Sequence, residues 1–241
     1  MATRTVPRLS AHVISVIVPT YNEAGSLPPL VDRLASAMAG HTWELVVVDD
    51  GSPDGTADVA ARLSATHPVW VVRRAGKAGL ASAVIAGFNE SRGDILVVMD
   101  ADLSHPPETV PALVKAIEDG ADLAVGSRYI KGGATMDWPL RRRVVSRIAC
   151  LLGNVFVPVR DATSGFFALR RTAIDSVHLN AIGFKIGFEV IARAKTKTIV
   201  EVPYTFRDRE LGASKFGRRE VVQYLQQVGI VARDKILGRL H

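Results

Sequence analysis

One cysteine, Cys150, is the whole supply in 241 residues. That excludes an intramolecular disulfide and a cysteine-rich zinc site, and it fits a reducing compartment. Aromatic residues make up only 6% of the chain, too few for the interleaved stacking platforms that single-stranded nucleic acids need. No uninterrupted apolar run approaches the roughly 18 residues of a membrane-crossing helix. Residues 1–12, MATRTVPRLSAH, contain no apolar stretch, so no secretion signal is expected. A protein in solution or resting on a membrane surface is predicted.

What is present is apolar mass and a lopsided charge. Hydrophobic residues are 48% of the sequence, enough for one large core. With no repeat and no low-complexity linker, residues 1–241 read as a single domain with two parts, about 13–129 and 130–241. The net charge is +6, which suggests nucleotides, phosphorylated lipids, an acidic membrane or nucleic acid as partners. Only eight of the 30 Lys and Arg residues fall in the first 100 positions. Any basic function therefore belongs to the second part.

Short β-branched runs alternate with helical patterns. Strands are predicted near 13–18, 45–48, 69–73, 95–99 and 122–127, with helices near 26–39, 55–65, 79–91 and 108–119. Continuous runs such as LVVV and ILVVM suit a parallel sheet buried on both faces. The fold class expected is α/β, a doubly wound, mostly parallel sheet. Beyond residue 129 a helix is expected over PLRRRVVSRIACLLGNVFV, then a loop running into a strand (161–170), a helix (184–194), a strand (198–202) and a last helix (218–240). The helix after residue 139 carries an apolar stripe at Val144, Ile148, Leu151 or Leu152, and Val155.

In such sheets ligands bind beyond the carboxyl ends of the strands, and the polar motifs fall there: PTYNE, DDGSPDG, DADLSH and GSRY. The stretch VVMDADLSHPP poses the sharpest question. Turn chemistry explains one aspartate and the prolines, but two carboxylates spaced by one residue repel unless a cation or a shared proton neutralises them.

Together VIVPTYNE, VVVDDGSPDGT, KAGLASAVIAGF, VVMDADLSHPP, AVGSRYIKGG, DWPLRRRVVS, TSGFFALRR, GFKIGFEV and RELGASKFG resemble the polyprenyl-phosphate (dolichol-phosphate) mannose synthases, which are inverting GT-A glycosyltransferases. The likeness runs from residue 13 to about 225. It implies a GT-A, Rossmann-like fold; the residues themselves add two C-terminal amphipathic helices, 140–155 and 218–240, whose apolar faces would meet either a membrane surface or the sheet. It also implies Mg²⁺ or Mn²⁺ held by Asp100 and Asp102, with Ser104, where some relatives have Gln, a poorer ligand or one acting through water. Pro19, Tyr21, Glu23, Val48, Asp50 and Asp100 would line the donor nucleotide, and Arg209 and Lys215 would clamp its phosphates. Ala213 replaces a Glu of many relatives, which removes one bond of that loop. Arg128, Arg142 and Ser146 would take the acceptor phosphate, with Arg141 and Arg143 weaker candidates. Asp102, Arg128 and Arg142 are the residues on which catalysis would rest, and His105 is expected as a turn residue or a support behind the ligands rather than a ligand.

The implied activity is transfer of mannose from GDP-mannose to a polyprenyl (dolichyl) monophosphate, with inversion to a β-mannosyl phospholipid. A polyprenyl-phosphate glucosyltransferase using a UDP-sugar is the alternative. A haloacid-dehalogenase-type phosphatase, which also places DxD after a strand, is a distant one, and a nucleic-acid-binding module leaves the acidic crevice unexplained. The prenyl acceptor implies peripheral attachment to an anionic membrane surface, on its cytoplasmic face, or else a membrane-anchored partner subunit. The arginines beside Val144 and Ile148, and Arg218, Arg219, Arg233, Lys235 and Arg239 in the last helix, are the basic residues that would meet it.

Overall fold

The computed structural model describes residues 13–136, 138–180, 185–208 and 218–240, with 218–220 as backbone only. The sequence alternates β1 (Ile14–Thr20), α1 (Leu27–Ala37), β2 (Trp43–Asp49), α2 (Thr56–Leu63), β3 (Val69–Arg73), α3 (Leu80–Glu90) and β4 (Ile95–Val98). A single 3₁₀ turn, Pro107–Thr109, then leads into α4 (Val110–Glu118) and β5 (Leu123–Ser127). The second part contributes β6 (Ala134–Thr135), α5 (Leu140–Asn154), β7 (Phe167–Arg170), α6 (Ile186–Arg193), β8 (Ile199–Pro203), β9 (Thr205–Phe206) and α7 (Arg218–Ile236).

Seven strands form one sheet in the order β3-β2-β1-β4-β7-β5-β8. All neighbours are parallel except β7, which runs against both β4 and β5. Every residue of β1 is buried, as an apolar strand covered on both faces requires. One face packs under α1, α2 and α4 through Leu30, Leu34, Leu113 and Ile117. The other packs under α3, α6 and α7 through Val84, Phe88, Phe188 and Val231.

The register brings several strand ends to one edge. Thr20 lies opposite Asp49, and Ile17 opposite Val98, so the chain leaves β1, β2 and β4 side by side. The antiparallel insertion of β7 has a consequence the sequence did not reveal. Its entry loop, residues 161–166, is delivered to the edge where β5 ends, and Gly126 N–H donates to Phe166 O at 2.8 Å. Strand runs do not encode direction, so the expected loop-into-strand was legible but its orientation was not. The two-residue ribbon of β6 and β9 was too short to leave a pattern.

The predicted stripe on α5 forms, but it faces outward. Leu140, Leu151 and Val155 are 77%, 66% and 69% exposed, while Cys150 and Gly153 are the buried residues of that helix. In α7, Tyr224, Gln227, Val231 and Asp234 turn inward, and Val221, Leu225 and Ile236 remain exposed. That helix also ends at Ile236 rather than near 240, with Gly238 in the left-handed region just beyond.

Gly187 marks the tightest approach between α6 and the β7 entry loop. A Cβ there would lie 2.1 Å from the backbone oxygen of Ser164, a contact that only a backbone shift relieves. Gly187→Ala is expected to lower the unfolding free energy by about 2 kcal/mol, in the range of overpacked core substitutions, as measured by urea denaturation.

Candidate functional site

Past β1 and β2 the chain builds a polar shelf. Asn22 takes a left-handed conformation (φ 63°), which an Asn tolerates better than most residues. The segment is pinned across the edge: Asn22 N–H donates to Ser52 Oγ at 3.0 Å, and Glu23 N–H to Thr56 Oγ1 at 2.9 Å. The Glu23 carboxylate accepts from Ser26 Oγ at 3.0 Å. Tyr21 lies beneath the Lys77 ammonium, 4.1 Å from its ring centre. Pro19 stands opposite Val48, whose side chain is fully buried among the α3 contacts. Val48 therefore presents no surface at the edge and supports the shelf from beneath, contrary to its expected place lining the nucleotide. Asp50 accepts from Arg74 Nη1 at 2.5 Å and from the backbone N–H groups of Ala78 and Gly79 at 3.1 and 2.9 Å. Any donor base N–H reaching Asp50 would share an oxygen with these partners.

The turn after β4 is shaped by a second left-handed residue, Leu103 (φ 62°). That bend lets Ser104 N–H reach Asp102 Oδ1 at 3.1 Å. Beneath the turn His105 is buried, stacked on Phe166 with ring centres 4.9 Å apart. Its Nδ1 accepts from Asp100 N–H at 3.0 Å, which places any ring proton of the neutral form on Nε2. Burial lowers the His105 pKa against the pull of Asp100 and Asp102, so near neutral pH the ring carries no charge. The imidazole braces the turn, in keeping with its reading as a turn residue.

Asp100 and Asp102 are both partly exposed, and Ser104 Oγ is buried without a hydrogen-bond partner. This all-oxygen set fits a hard divalent cation. Among the described residues no group of three His, Cys, Asp or Glu side chains forms a metal cluster, so most of such a cation's shell would come from substrate oxygens and water.

The cationic side of the site is organised by a buried ion pair that sequence reasoning did not find. Arg128, just past β5, donates from Nε and Nη2 to the two oxygens of Asp161 at 2.7 and 2.6 Å, and from its backbone N–H at 3.0 Å. The two side chains are 6% and 0% exposed. Burial alone would raise the Asp161 pKa, but the adjoining guanidinium outweighs it and holds the carboxyl below its ordinary value. Thr163 joins the cluster: its hydroxyl accepts from Arg128 Nη2 and its carbonyl from Lys185 Nζ, both at 3.0 Å. Burial, with Arg128 nearby, pushes Lys185 down to about 8. Asp161 stood in RDATSG as an unremarked loop residue, and Lys185 in GFKIG as a helix-start residue; neither signalled chemistry by spacing.

Arg142, in the first turn of α5, meets a different partner. Its Nη1 donates to both oxygens of Asp208 at 2.6 and 2.7 Å, and its guanidinium lies 4.1 Å from the Trp138 ring centre. The Trp138 indole N–H is buried with no hydrogen-bond partner. Ser146, one turn on, accepts from the Tyr129 hydroxyl at 2.7 Å and still has its own proton to donate. Arg141 and Arg143 are exposed; Arg143 reaches Thr135 O, at 3.5 Å. Of the residues expected for the donor and the metal, Tyr21, Glu23, Asp50, Asp100 and Asp102 thus stand along one half of the sheet edge; Arg142 and Ser146 stand along the other, while Arg128, expected at the acceptor phosphate, is buried against Asp161. Arg209 and Lys215 lie outside the described residues.

A mostly parallel sheet with an oxygen-donor turn and a cation cluster at its carboxyl edge defines a Rossmann-like, GT-A glycosyltransferase. The comparisons with known proteins agree. Residues 15–178 match the Glycosyl transferase family 2 model. The chain is 48% identical over 219 residues to the dolichol-phosphate mannosyltransferase of Pyrococcus furiosus, covering 89% of this chain and 62% of that protein. It thus spans less than two thirds of that relative. It is 40% identical over 227 residues to the dolichol-phosphate mannosyltransferase of Saccharomyces cerevisiae (89% and 85% covered). To the polyprenol monophosphomannose synthase of Mycolicibacterium smegmatis it is 42% identical over 240 residues (93% and 88%). Among solved structures, glucosyl-3-phosphoglycerate synthase from Mycobacterium tuberculosis, crystallised with Mn²⁺, UDP and glucosyl-3-phosphoglycerate, superposes with a TM-score of 0.67. The identity there is 23%, over 95% of this chain and 80% of that one, a likeness of fold alone. The chain belongs to glycosyl transferase family 2, in its polyprenyl-phosphate mannose synthase branch. The phosphatase alternative is thereby removed.

Asp161→Asn keeps the shape but leaves the Arg128 charge buried without its counter-ion, which costs about 3–5 kcal/mol. The expected loss of stability is full at pH 7. It shrinks as pH falls below about 4, where the wild-type carboxyl protonates, first in the unfolded chain and then in the folded one. Chemical denaturation of both proteins between pH 3 and 7 measures it.

Proposed function

We propose that this chain transfers mannose from GDP-mannose to the phosphate of a polyprenyl monophosphate, inverting the anomeric centre to give a polyprenyl-phosphate β-mannose. The observation that carries this reading is the juxtaposition along one sheet edge of an oxygen-donor turn, Asp100-Ala101-Asp102-Leu103-Ser104, and a second, cationic group of residues around Arg142. A diphosphate leaving group and a phosphate nucleophile need those two environments side by side. The names of the relatives support the choice of sugar and of a prenyl carrier.

In this reading Asp100, Asp102 and the buried Ser104 hydroxyl hold Mg²⁺ or Mn²⁺. A hard dication there balances the charge of the donor diphosphate and of the departing GDP. Tyr21, Glu23 and Asp50 form the shelf for the nucleoside, with the buried Pro19 and Val48 beneath it, and Arg209 and Lys215 clamp its phosphates. Arg142 and Ser146 bind the acceptor phosphate, with Arg128 fixed behind them by Asp161. A phosphate monoester is already anionic near neutral pH, so no general base is assigned. The chain's contribution is alignment of that oxygen with C1 opposite the leaving group, and exclusion of water from the line of attack.

No described helix is long and apolar enough to cross a membrane. The outward face of α5, apolar at Leu140, Ile148, Leu151 and Val155 and flanked by the exposed Arg141, Arg143 and Arg147, is proposed to rest on the cytoplasmic surface of an anionic bilayer. There it would meet the lipid acceptor.

A transfer assay with a short polyprenyl phosphate, Mg²⁺ or Mn²⁺, and GDP-mannose, UDP-glucose or UDP-N-acetylglucosamine tests the activity. Turnover is expected with GDP-mannose, and Asp102→Asn should lower it by about a hundredfold or more, since even outer-shell changes at metal sites cost 10–100-fold. Preference for a UDP-sugar would replace the proposed donor, and near-normal turnover of the variant would remove the metal assignment. Liposome flotation tests the surface. Binding should require anionic lipid and weaken as salt rises, each basic residue near the surface contributing about 1 kcal/mol. Failure to float even with polyprenyl phosphate present would point to a membrane-anchored partner subunit.

A further inference from the structure

The two arginines expected at the acceptor phosphate are both paired with carboxylates, but the pairs are unlike. Arg128 and Asp161 are 6% and 0% exposed and held from three donor groups. Arg142 and Asp208 are 34% and 39% exposed, joined through one guanidinium nitrogen. A buried, bidentate pair cannot be opened without stranding a charge. An exposed pair contributes little net free energy and exchanges readily.

Asp208 is also delivered to its place by structure rather than by chance encounter. It follows β9, which pairs with β6 just ahead of Trp138 and α5, with Met136 N–H donating to Phe206 O at 2.9 Å. Arg207 N–H donates to Ser104 O at 3.4 Å, tying the same segment to the Asp100–Asp102 turn. Trp138, packed edge-on against Phe206 with ring centres 5.1 Å apart, is the floor under the Arg142 guanidinium. The carboxylate thus sits on a segment tied to the acidic turn through Arg207 and pairs with the exchangeable arginine.

We propose that Asp208 is a positioning residue whose carboxylate occupies Arg142 until an incoming phosphomonoester replaces it, and which retakes Arg142 once that phosphate has become a diester. This rests on the reading of Arg142 as the acceptor-phosphate residue. A phosphomonoester carries about −1.5 to −2 charge at pH 7 and outbids a single carboxylate for a guanidinium. The mannosylated product is a monoanionic diester and holds no such advantage. Asp208 therefore sets a threshold that the acceptor passes and the product does not, and so favours product release.

The test uses the full chain, a short polyprenyl phosphate, and its purified mannosylated product as inhibitor. Asp208→Asn keeps the side-chain shape and removes the competing charge. The KM for the acceptor and the inhibition constant of the product should both fall, by about two- to fivefold, the scale of an exposed pair, while the KM for the donor stays constant. A merely structural role would raise the acceptor KM or leave it alone. An acceptor KM or a product inhibition constant that stays the same or rises overturns the proposal. Arg142→Ala, assayed alongside, separates the two levels. If it raises the acceptor KM while Asp208→Asn has no effect, only the role of Asp208 fails; if it leaves the acceptor KM unchanged, the reading of Arg142 fails first.

Discussion

The Arg128–Asp161 ion pair locks the end of β5 to the loop that enters β7, two segments that the antiparallel pairing of those strands brings to one edge. Arg128 leaves the end of β5, and Asp161 opens the loop that enters β7, 33 positions later. Cys150 of α5 contacts Thr163 at 3.2 Å, and Lys185 at the start of α6 reaches the carbonyl of the same threonine. Glu201 of β8 supports the loop from behind, accepting from Arg160 and Asp161 N–H at 2.9 and 3.1 Å. Because the pair lies out of water, each partner's charge is tolerable only while the other is present. The cost of separating them fixes the second half of the site before any substrate arrives.

From that fixed centre the division of labour along the sheet edge follows. The acidic turn after β4 faces the polar shelf of β1 and β2, and its brace is the neutral, buried His105 stacked on Phe166. Phe166 in turn belongs to the loop that Asp161 anchors, so the acidic half and the cationic half share one aromatic wall. Arg142 belongs to α5 instead, on the exposed side of Trp138. The same helix turns its apolar stripe to the outside. One element therefore carries both the proposed phosphate-binding residue and the proposed lipid-facing surface, as a water-insoluble acceptor with a charged head demands.

Much of this was legible in the residues. Runs such as LVVV and ILVVM announce buried parallel strands because only a sheet covered on both faces needs them, and Asp100-Ala101-Asp102 stands out because paired carboxylates need a reason. The outward stripe of α5 was visible as periodicity, but its direction was not, since an amphipathic pattern is the same whether it meets a sheet or a bilayer. Asp161, Lys185 and Asp208 were missed for a common reason. Each acquires meaning from a partner 22 to 66 positions away, brought close by the reversed β7 and by the two-residue ribbon of β6 and β9. Neither feature has a sequence period to read.

The strand-end carboxylates are proposed to hold a divalent cation together with the donor's diphosphate. The affinity for GDP, measured by calorimetry with Mg²⁺ and again with the metal chelated, tests this most directly. Tight binding is expected only with the metal present, and that difference should be lost in Asp100→Asn. Equal affinity for GDP with and without the metal would contradict the proposal.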